Sequence, residues 1–257
     1  LHPLQISEVY VGIPDDFEGN VLVVGGVGSG KSTGIIKSTT KSFGGTFFVL
    51  DIKGELFRFY RKLEALGVVT RPHIVFDFEN PNSFGYDFFH WVRIDDACNV
   101  ASNIEAIAFA LIPRSVESNS EFWCACERSV LCAGLLYFFR KGLSFIQSVC
   151  LIADYNFSFL CEKLTSSDDL LVKNFVGDIT EMKSEHLAAI ERGLRNRLSV
   201  FISNPLFCNA LRGDEGTGKA LTWDKLETHN IFLHVPEDKL QQLAPILNLM
   251  LSQLLQH

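Results

Sequence analysis

Long apolar runs are missing from this sequence. The longest, Val130 to Phe139, is interrupted by Gly134 and covers roughly half of the ~20 residues a membrane-spanning helix needs. A basic excess is missing too. The 23 Lys and Arg are outnumbered by 30 Asp and Glu, for a net charge of −7. That is a poor footprint for tight, sequence-independent DNA binding by the chain alone, although a local basic patch is compatible with it. No CxxC pair occurs, and the seven cysteines are irregularly spaced. The close pair, Cys124 and Cys126, is i,i+2 in a helical stretch, so its sulfurs diverge. Free, mostly buried thiols in a reducing compartment are expected, rather than a disulfide framework or a metal site. The seven histidines lack ligand spacing. No repeat, low-complexity tract or signal peptide is present. The chain starts at Leu rather than Met, which suggests an excised fragment.

With 47% hydrophobic residues over 257 positions, the chain has ample material for a core. Strand-like and helix-like segments alternate at first. Val21 to Val24 is a short apolar run fit for a buried parallel strand. Lys31 to Ser42 reads as a helix, Thr46 to Leu50 as a strand, Gly54 to Leu66 as a helix, and His73 to Phe76 as a strand. This alternation implies an α/β fold with a mostly parallel sheet. From Arg93 to about Lys183 the pattern is helical throughout, with Ser120 as the expected N-cap of one helix. A long helix spans Ser184 to Ile202, on a stripe of Leu187, Ile190, Leu194, Leu198 and Phe201, and stops at Asn204-Pro205. A strand, Ile231 to Val235, and an apolar helix after Pro236-Glu237-Asp238 complete the chain. The division expected is 1–91, the first part of a nucleotide-binding domain; 92–183, an inserted all-α domain; and 184–257, the second part.

The strongest signal is Gly25-Gly26-Val27-Gly28-Ser29-Gly30-Lys31-Ser32, followed by Thr33. It fits the phosphate-loop pattern GxxxxGK[ST] in a strand–loop–helix context. Glycines let backbone N–H groups close around phosphate oxygens. The helix that follows offers its N-terminal N–H groups and the positive end of its dipole. Lys31 would meet the β/γ-phosphates of ATP, and the Ser32 hydroxyl would ligate Mg²⁺. A second run, Gly213 to Ala220, satisfies GxxxxGK but ends in Ala and carries Asp214 and Glu215. It reads as a surface turn. Hydrolysis also needs an acid on the metal and a group that activates water. Asp51, Asp77 and the Glu237-Asp238 pair follow strands and are candidates, though each could equally be a capping carboxylate.

The run Val49-Leu50-Asp51-Ile52-Lys53-Gly54-Glu55 after a phosphate loop resembles the type IV secretion coupling proteins, the TraG/TraD-like conjugation ATPases. Phe122-Trp123 in a helical insertion, Asn204-Pro205 after a long helix and Val235-Pro236-Glu237-Asp238 closing a strand extend the resemblance over nearly the whole chain. The resemblance implies a RecA-like P-loop ATPase core with an inserted all-α domain. It implies N-terminal membrane helices anchoring the protein in the bacterial inner membrane, with this part cytoplasmic, and assembly as a homo-hexamer. It implies ATP-driven delivery of DNA–relaxase complexes or protein effectors to the secretion-channel components. Gly25 to Thr33 would bind nucleotide, with Asp51, Lys53 and Glu55 beside it. Mg²⁺ would accompany ATP.

Three departures stand out. Tyr86-Asp87-Phe88 replaces the family's Asn-Pro-Leu. The family's N-terminal membrane anchor is not among these 257 residues. The family's Asp-Glu pair, which handles metal and water, would fall beyond His257, so this stretch is expected to bind ATP but hydrolyse it weakly. Two rivals remain open. One is a DNA pump of the FtsK/HerA or pilus-assembly kind, against which the Asp51 to Glu55 run argues. The other is a recruitment module whose helical domain binds cargo or an adaptor while nucleotide is structural. Arg192, Arg195 and Arg197 are candidates for arginine fingers or DNA contacts, weighed against a solvated helix face. Phe84, Tyr86, Phe88, Phe89 and Trp91 could stack on bases but are better read as packing residues.

Overall fold

The computed structural model describes residues 2–6, 9–13, 22–24, 26–213 and 219–256, the first two segments by their backbone. The chain divides into two compact units, Leu1–Phe76 with Asp224–Glu237, and Asp77–Trp223 with Asp238–His257.

The first unit holds the sheets. Strands β1 (His2–Ile6) and β2 (Val9–Ile13) form an antiparallel hairpin with Leu4 opposite Val11. Strands β3 (Phe48–Leu50), β4 (His73–Asp77) and β5 (Asn230–His234) form a second sheet in the order β3-β5-β4. β3 and β5 run parallel, with Phe48 opposite Ile231 and Leu50 opposite Leu233. The middle strand β5 is buried from Asn230 to Leu233, as a parallel strand covered on both faces should be. Residues Lys31–Ile36 wind with π-type bonding and continue as helix α1 (Lys37–Ser42). Helix α2 (Glu55–Ala65) follows β3. Tyr60 on α2 is the aromatic anchor, 5.3 Å from Phe232 between ring centroids. Its hydroxyl donates to the Arg71 carbonyl at 2.8 Å and accepts from Asn230 Nδ2 at 2.9 Å.

The expected strand at Val21 to Val24 is a correction. Val21 lies outside the described residues, and Leu22 to Val24 form no strand. Leu22 and Val24 are more than four-fifths exposed. An apolar run becomes a strand only when a ladder partner takes up its N–H and C=O groups, and here these three residues pair with none of the strands.

The second unit is helical: α3 (Phe89–Ile94), α4 (Val100–Leu111), α5 (Ser118–Arg140), α6 (Phe145–Asp154), α7 (Phe157–Thr165), α8 (Leu170–Val176), α9 (Ser184–Ile202), α10 (Pro205–Ala210) and α11 (Leu240–Gln256). Helix α5 is its axis and packs against α4, α6, α8 and α9. By length and average hydropathy α5 would suffice to cross a membrane, but two-thirds of its most apolar stretch is buried. It also carries Glu121, Glu127 and Arg128, and it serves as a core helix. Ser120 is not its N-cap. The helix starts two residues earlier, with Glu117 at the cap and Ser120 Oγ donating to Glu117 Oε2 at 3.3 Å. Helix α6 opens on a capping box between Ser144 and Gln147. Helix α10, which sequence periodicity does not reveal, starts on Asn204 as N-cap with Pro205 at its first turn.

Candidate phosphate-binding site

The phosphate-loop residues occupy the entry to the Lys31 helix. Gly25 lies outside the described residues. Gly28 and Gly30 adopt left-handed φ of 79° and 83°, a conformation costly for any residue with a Cβ. Among the described residues, no atom beyond the adjacent chain lies within 4 Å of where a Cβ would sit on Gly26, Gly28 or Gly30. The loop is therefore open to a ligand along its backbone. Ser29 N–H donates to the Gly26 carbonyl at 3.3 Å and Gly34 N–H to the Gly30 carbonyl at 2.6 Å. Gly30 caps the helix without a side-chain bond, and no acid occupies the first turn. Lys31 Nζ bends back over the loop to the Gly26 carbonyl at 2.7 Å and Ser29 Oγ at 3.3 Å. Ser32 and Thr33 are exposed, as are Gly26, Val27, Gly28, Ser29 and Gly30. Lys31 and Ser32 also border a cavity of about 590 Å³, whose other lining is apolar except for Thr39 and Thr40.

The Asp51 to Glu55 run splits in direction. Asp51 is buried, and its Oδ2 accepts the N–H of Phe57 at 2.8 Å. Its backbone joins the sheet through Leu233 O at 2.9 Å, and its carbonyl is 3.0 Å from His234 Nδ1. The carboxylate is thereby committed to the first turn of α2. Lys53 and Glu55 are exposed. Gly54 sits at φ 62°, and a Cβ there would face His234 at 3.6 Å. Glu55 shares a small cleft with Lys37, Arg58, Phe59 and Lys62. That cleft brings the acidic end of the run together with α1, which leaves the phosphate loop.

The other strand-end acids are engaged differently. Asp77 Oδ1 accepts from Glu79 N–H at 2.9 Å, and Asp77 N–H donates to Ser83 Oγ at 2.8 Å. Glu237 and Asp238 are exposed. The second glycine run is pinned where it is described: Gly85 N–H donates to the Lys219 carbonyl and Leu221 N–H to the Gly85 carbonyl, both at 2.8 Å. A Cβ on Gly85 would strike the Gly213 carbonyl, which explains the glycine. Residues 214–218 lie outside the described residues.

In the helical unit, Arg195 pairs with Glu191 at 3.2 Å and Arg197 with Glu127 at 3.5 Å. Arg192 is exposed on the same helix. Tyr86, Phe88 and Phe89 are buried, packing edge-to-face on neighbouring rings such as Phe145. They form core and not a stacking platform. Sequence reasoning missed Asp87 between them. Its buried Oδ1 accepts from Phe89 N–H at 3.0 Å and Phe145 N–H at 2.9 Å, and its Oδ2 from Arg93 at 2.6 Å. The signal was the departure at Tyr86-Asp87-Phe88, since an acid inside an aromatic run must be satisfied if buried. Among the described residues no group of His, Cys, Asp and Glu could hold a metal ion.

Comparison with known proteins adds family and fold. A sequence model for type IV secretory system conjugative DNA transfer matches residues 5–257. Among solved structures, the bacterial conjugative coupling protein TrwBdeltaN70, in a trigonal form with sulphate, is 16% identical with a TM-score of 0.60, over 90% of this chain and 50% of that one. The plasmid coupling protein TrwB with ADP and Mg²⁺ is 16% identical with a TM-score of 0.61, over 89% of this chain and 50% of that one. TrwB with the ATP analogue ADPNP is 17% identical with a TM-score of 0.60, over 88% and 49%. The chain thus spans about half the length of the structures it matches. No curated protein matches it. The chain shares the fold of these coupling-protein structures, a mostly parallel sheet joined to many helices.

Proposed function

Because this chain belongs to the family of type IV secretory system conjugative DNA transfer proteins, we propose that it is the ATP-binding motor part of a coupling protein. Its task is to hand DNA–relaxase complexes or protein effectors to a secretion channel. The working protein is a homo-hexamer held at the bacterial inner membrane, with this part on the cytoplasmic side. In this reading residues 1–91 and 184–257 make the nucleotide-binding domain and residues 92–183 the all-α insertion that meets cargo or an adaptor, a division by role that differs from the two compact units, which group residues 184–223 and 238–257 with the helices.

One observation carries this reading. Gly28 and Gly30 take the left-handed conformation immediately before Lys31 and Ser32, at a helix start free of acidic side chains. The residues fit a phosphate chain: open backbone, a cation folded over the loop and an exposed hydroxyl. Gly25 to Thr33 would hold nucleotide, Lys31 would balance charge on the β/γ-phosphates, and Ser32 would take Mg²⁺. Bound Mg²⁺ supplies neutralisation of phosphate charge. Asp51 fixes the start of α2 from within, while Glu55 at its exposed end is the acid of the run turned toward the phosphate-loop helix. The TrwB structures with ADP and Mg²⁺ and with ADPNP support nucleotide as the ligand.

The test is binding of labelled ATP with Mg²⁺ to the chain and to Lys31→Ala. Loss of one charge-assisted contact should weaken binding at least about tenfold, or ~1.4 kcal/mol, with an unchanged melting curve. Undiminished affinity in the variant would refute the motor reading.

A further inference from the structure

Charge is unevenly placed along this chain. Residues 26–76 carry eight Lys and Arg against three Asp and Glu, a local cationic excess in a chain whose net charge is −7. One of the three acids, Asp51, is buried. Four of the cations sit on α1 and α2, which pack on each other. Lys37 and Lys41 are one turn apart on α1, and Arg58 and Lys62 are one turn apart on α2. Lys41, Arg58 and Lys62 are exposed, and Lys37 is partly so. Lys37, Arg58 and Lys62 line the cleft of about 210 Å³ that also holds Phe59 and Glu55. Three cations thus converge on a single acid.

Their engagement sets these four apart. Arg61, beside them on α2, pairs with Glu64 at 2.7 Å, and Arg71 donates to the Gly44 carbonyl at 2.7 Å. In the helical unit Arg93 pairs with Asp87, Arg140 with Asp169 and Arg195 with Glu191. Among the described residues, Lys37, Lys41, Arg58 and Lys62 pair with no carboxylate within 4.0 Å. Arg58 donates to the Lys53 carbonyl at 2.9 Å, which orients its guanidinium without neutralising it. Lys37 Nζ stands 5.7 Å from the centre of the Phe59 ring. Like charges one turn apart on a helix repel, and both helices carry such a pair. Lys41 and Lys62 lie in the last turns of their helices, where the dipole favours a cation. Lys37 and Arg58 lack that compensation. The face therefore holds mutual repulsion that an external polyanion would relieve.

We propose that the face formed by Lys37, Lys41, Arg58 and Lys62 is a sequence-independent contact for the phosphate backbone of a DNA strand. The inference rests on the reading of this chain as part of a DNA-transfer motor, and adds to it the surface that meets the strand. Charge complementarity supports it, and so does the family, which is one of conjugative DNA transfer. Side chains one turn apart on a helix have Cβ atoms about 5–6 Å apart, near the spacing of successive phosphates along an extended strand. Two such rows meet at the cleft, where Arg58 is oriented in advance. Contacts of this kind carry no base information and let a strand slide. The acidic remainder of the chain keeps the contact weak and sensitive to salt.

The experiment measures binding of a fluorescently labelled single-stranded DNA homopolymer to the whole chain by anisotropy, across a series of salt concentrations. If all four cations engage, log K should fall against log salt with a slope of about −3, at roughly 0.7 per phosphate. In the triple variant Lys37→Gln, Arg58→Gln, Lys62→Gln the slope should shrink by about 2, and affinity at low salt should drop at least about tenfold. A control with the same change of net charge, Lys141→Gln, Lys163→Gln, Lys173→Gln in the helical unit, should keep the parent's slope. Melting curves report that both variants fold, and ATP with Mg²⁺ should bind the α1–α2 variant as it binds the parent. A parent slope in the α1–α2 variant, or an equal fall in the control, would overturn the inference while leaving the Lys31→Ala test of nucleotide binding intact. Displacement of the strand by polyglutamate at equal charge would assign the face to an acidic protein instead. Binding of phosphatidylserine vesicles that exceeds DNA binding and is lost in the same variant would assign it to a lipid surface. Either result also overturns it.

Discussion

Each unit of the molecule buries one aspartate that caps helices, and the two are used at different intensity. In the sheet unit, Asp51 accepts one backbone N–H, from Phe57 in the first turn of α2. In the helical unit, Asp87 accepts one N–H at the start of α3, another at the start of α6, and the guanidinium of Arg93. A carboxylate at a helix N-terminus is stabilised by orphan donors and by the dipole. Asp87 collects that benefit from two helices at once, and each helix then carries aromatic side chains into the core. The difference teaches where the fold is held and where it is kept open. The helical unit is cross-tied by polar groups inside an apolar interior. The sheet unit leaves its glycine loop, Lys53 and Glu55 at the surface, and its Asp51 sets the start of α2 with a single accepted N–H.

The comparison is sharpened most by Asp87→Ala. It strands two buried N–H groups and leaves Arg93 without its carboxylate. The expected loss is about 3 kcal/mol of unfolding free energy, read from urea denaturation. A loss no greater than that of Asp51→Ala would break the contrast. The smaller effect belongs to Asp51→Ala, which removes one cap for about 1–2 kcal/mol. Asp51→Asn keeps an oxygen for the Phe57 N–H and should recover most of that stability. If Asp51 also serves nucleotide chemistry, the asparagine variant will be stable yet poor in ATP turnover. Full turnover in a stable Asp51→Asn protein confines the residue to capping.

Much of this was legible in the residues, for reasons that differ by element. Helix α9 reads correctly from Ser184 to Ile202 because its stripe is long and Asn204-Pro205 stops it. Strand β5 reads within a residue because apolar, β-branched and aromatic residues cluster between turn signals. The left-handed backbone of Gly28 and Gly30 is legible because the glycine pattern is local, every residue of the motif lying within nine positions. What failed is non-local or short. The β1–β2 hairpin and the six-residue α10 are too brief for periodicity to mark. Asp87 looks like a surface acid until its partner Phe145, 58 positions away, is placed beside it. Leu22 to Val24 have strand composition, but composition supplies no ladder partner. The direction of Asp51, inward to α2, is likewise a tertiary fact.

The smallest effect tests the cross-ties themselves. Glu127 on α5 is buried against α9, where Gly193 leaves room that a Cβ would close onto its carboxylate. Arg197 Nε lies 3.5 Å from Oε2, an ion pair without a hydrogen bond. Arg128, on the same helix, is engaged with Glu121 and with the carbonyls of Ile112 and Pro113. Burial pushes the Glu127 carboxyl above its ordinary value of about 4.5, and Arg197 only partly opposes this. The native state therefore holds that proton more tightly than the unfolded chain does. Its contribution to stability is complete below the unfolded value and is lost as pH rises through the raised folded value. Glu127→Gln stays neutral throughout and removes that loss. Its unfolding free energy should accordingly fall less than the parent's between about pH 4.5 and pH 7, by a margin of about 1 kcal/mol or less. Urea midpoints across that range read the difference. Parallel curves would mean that Arg197 compensates the buried charge completely, and that this tie between α5 and α9 is as secure as the one Asp87 makes.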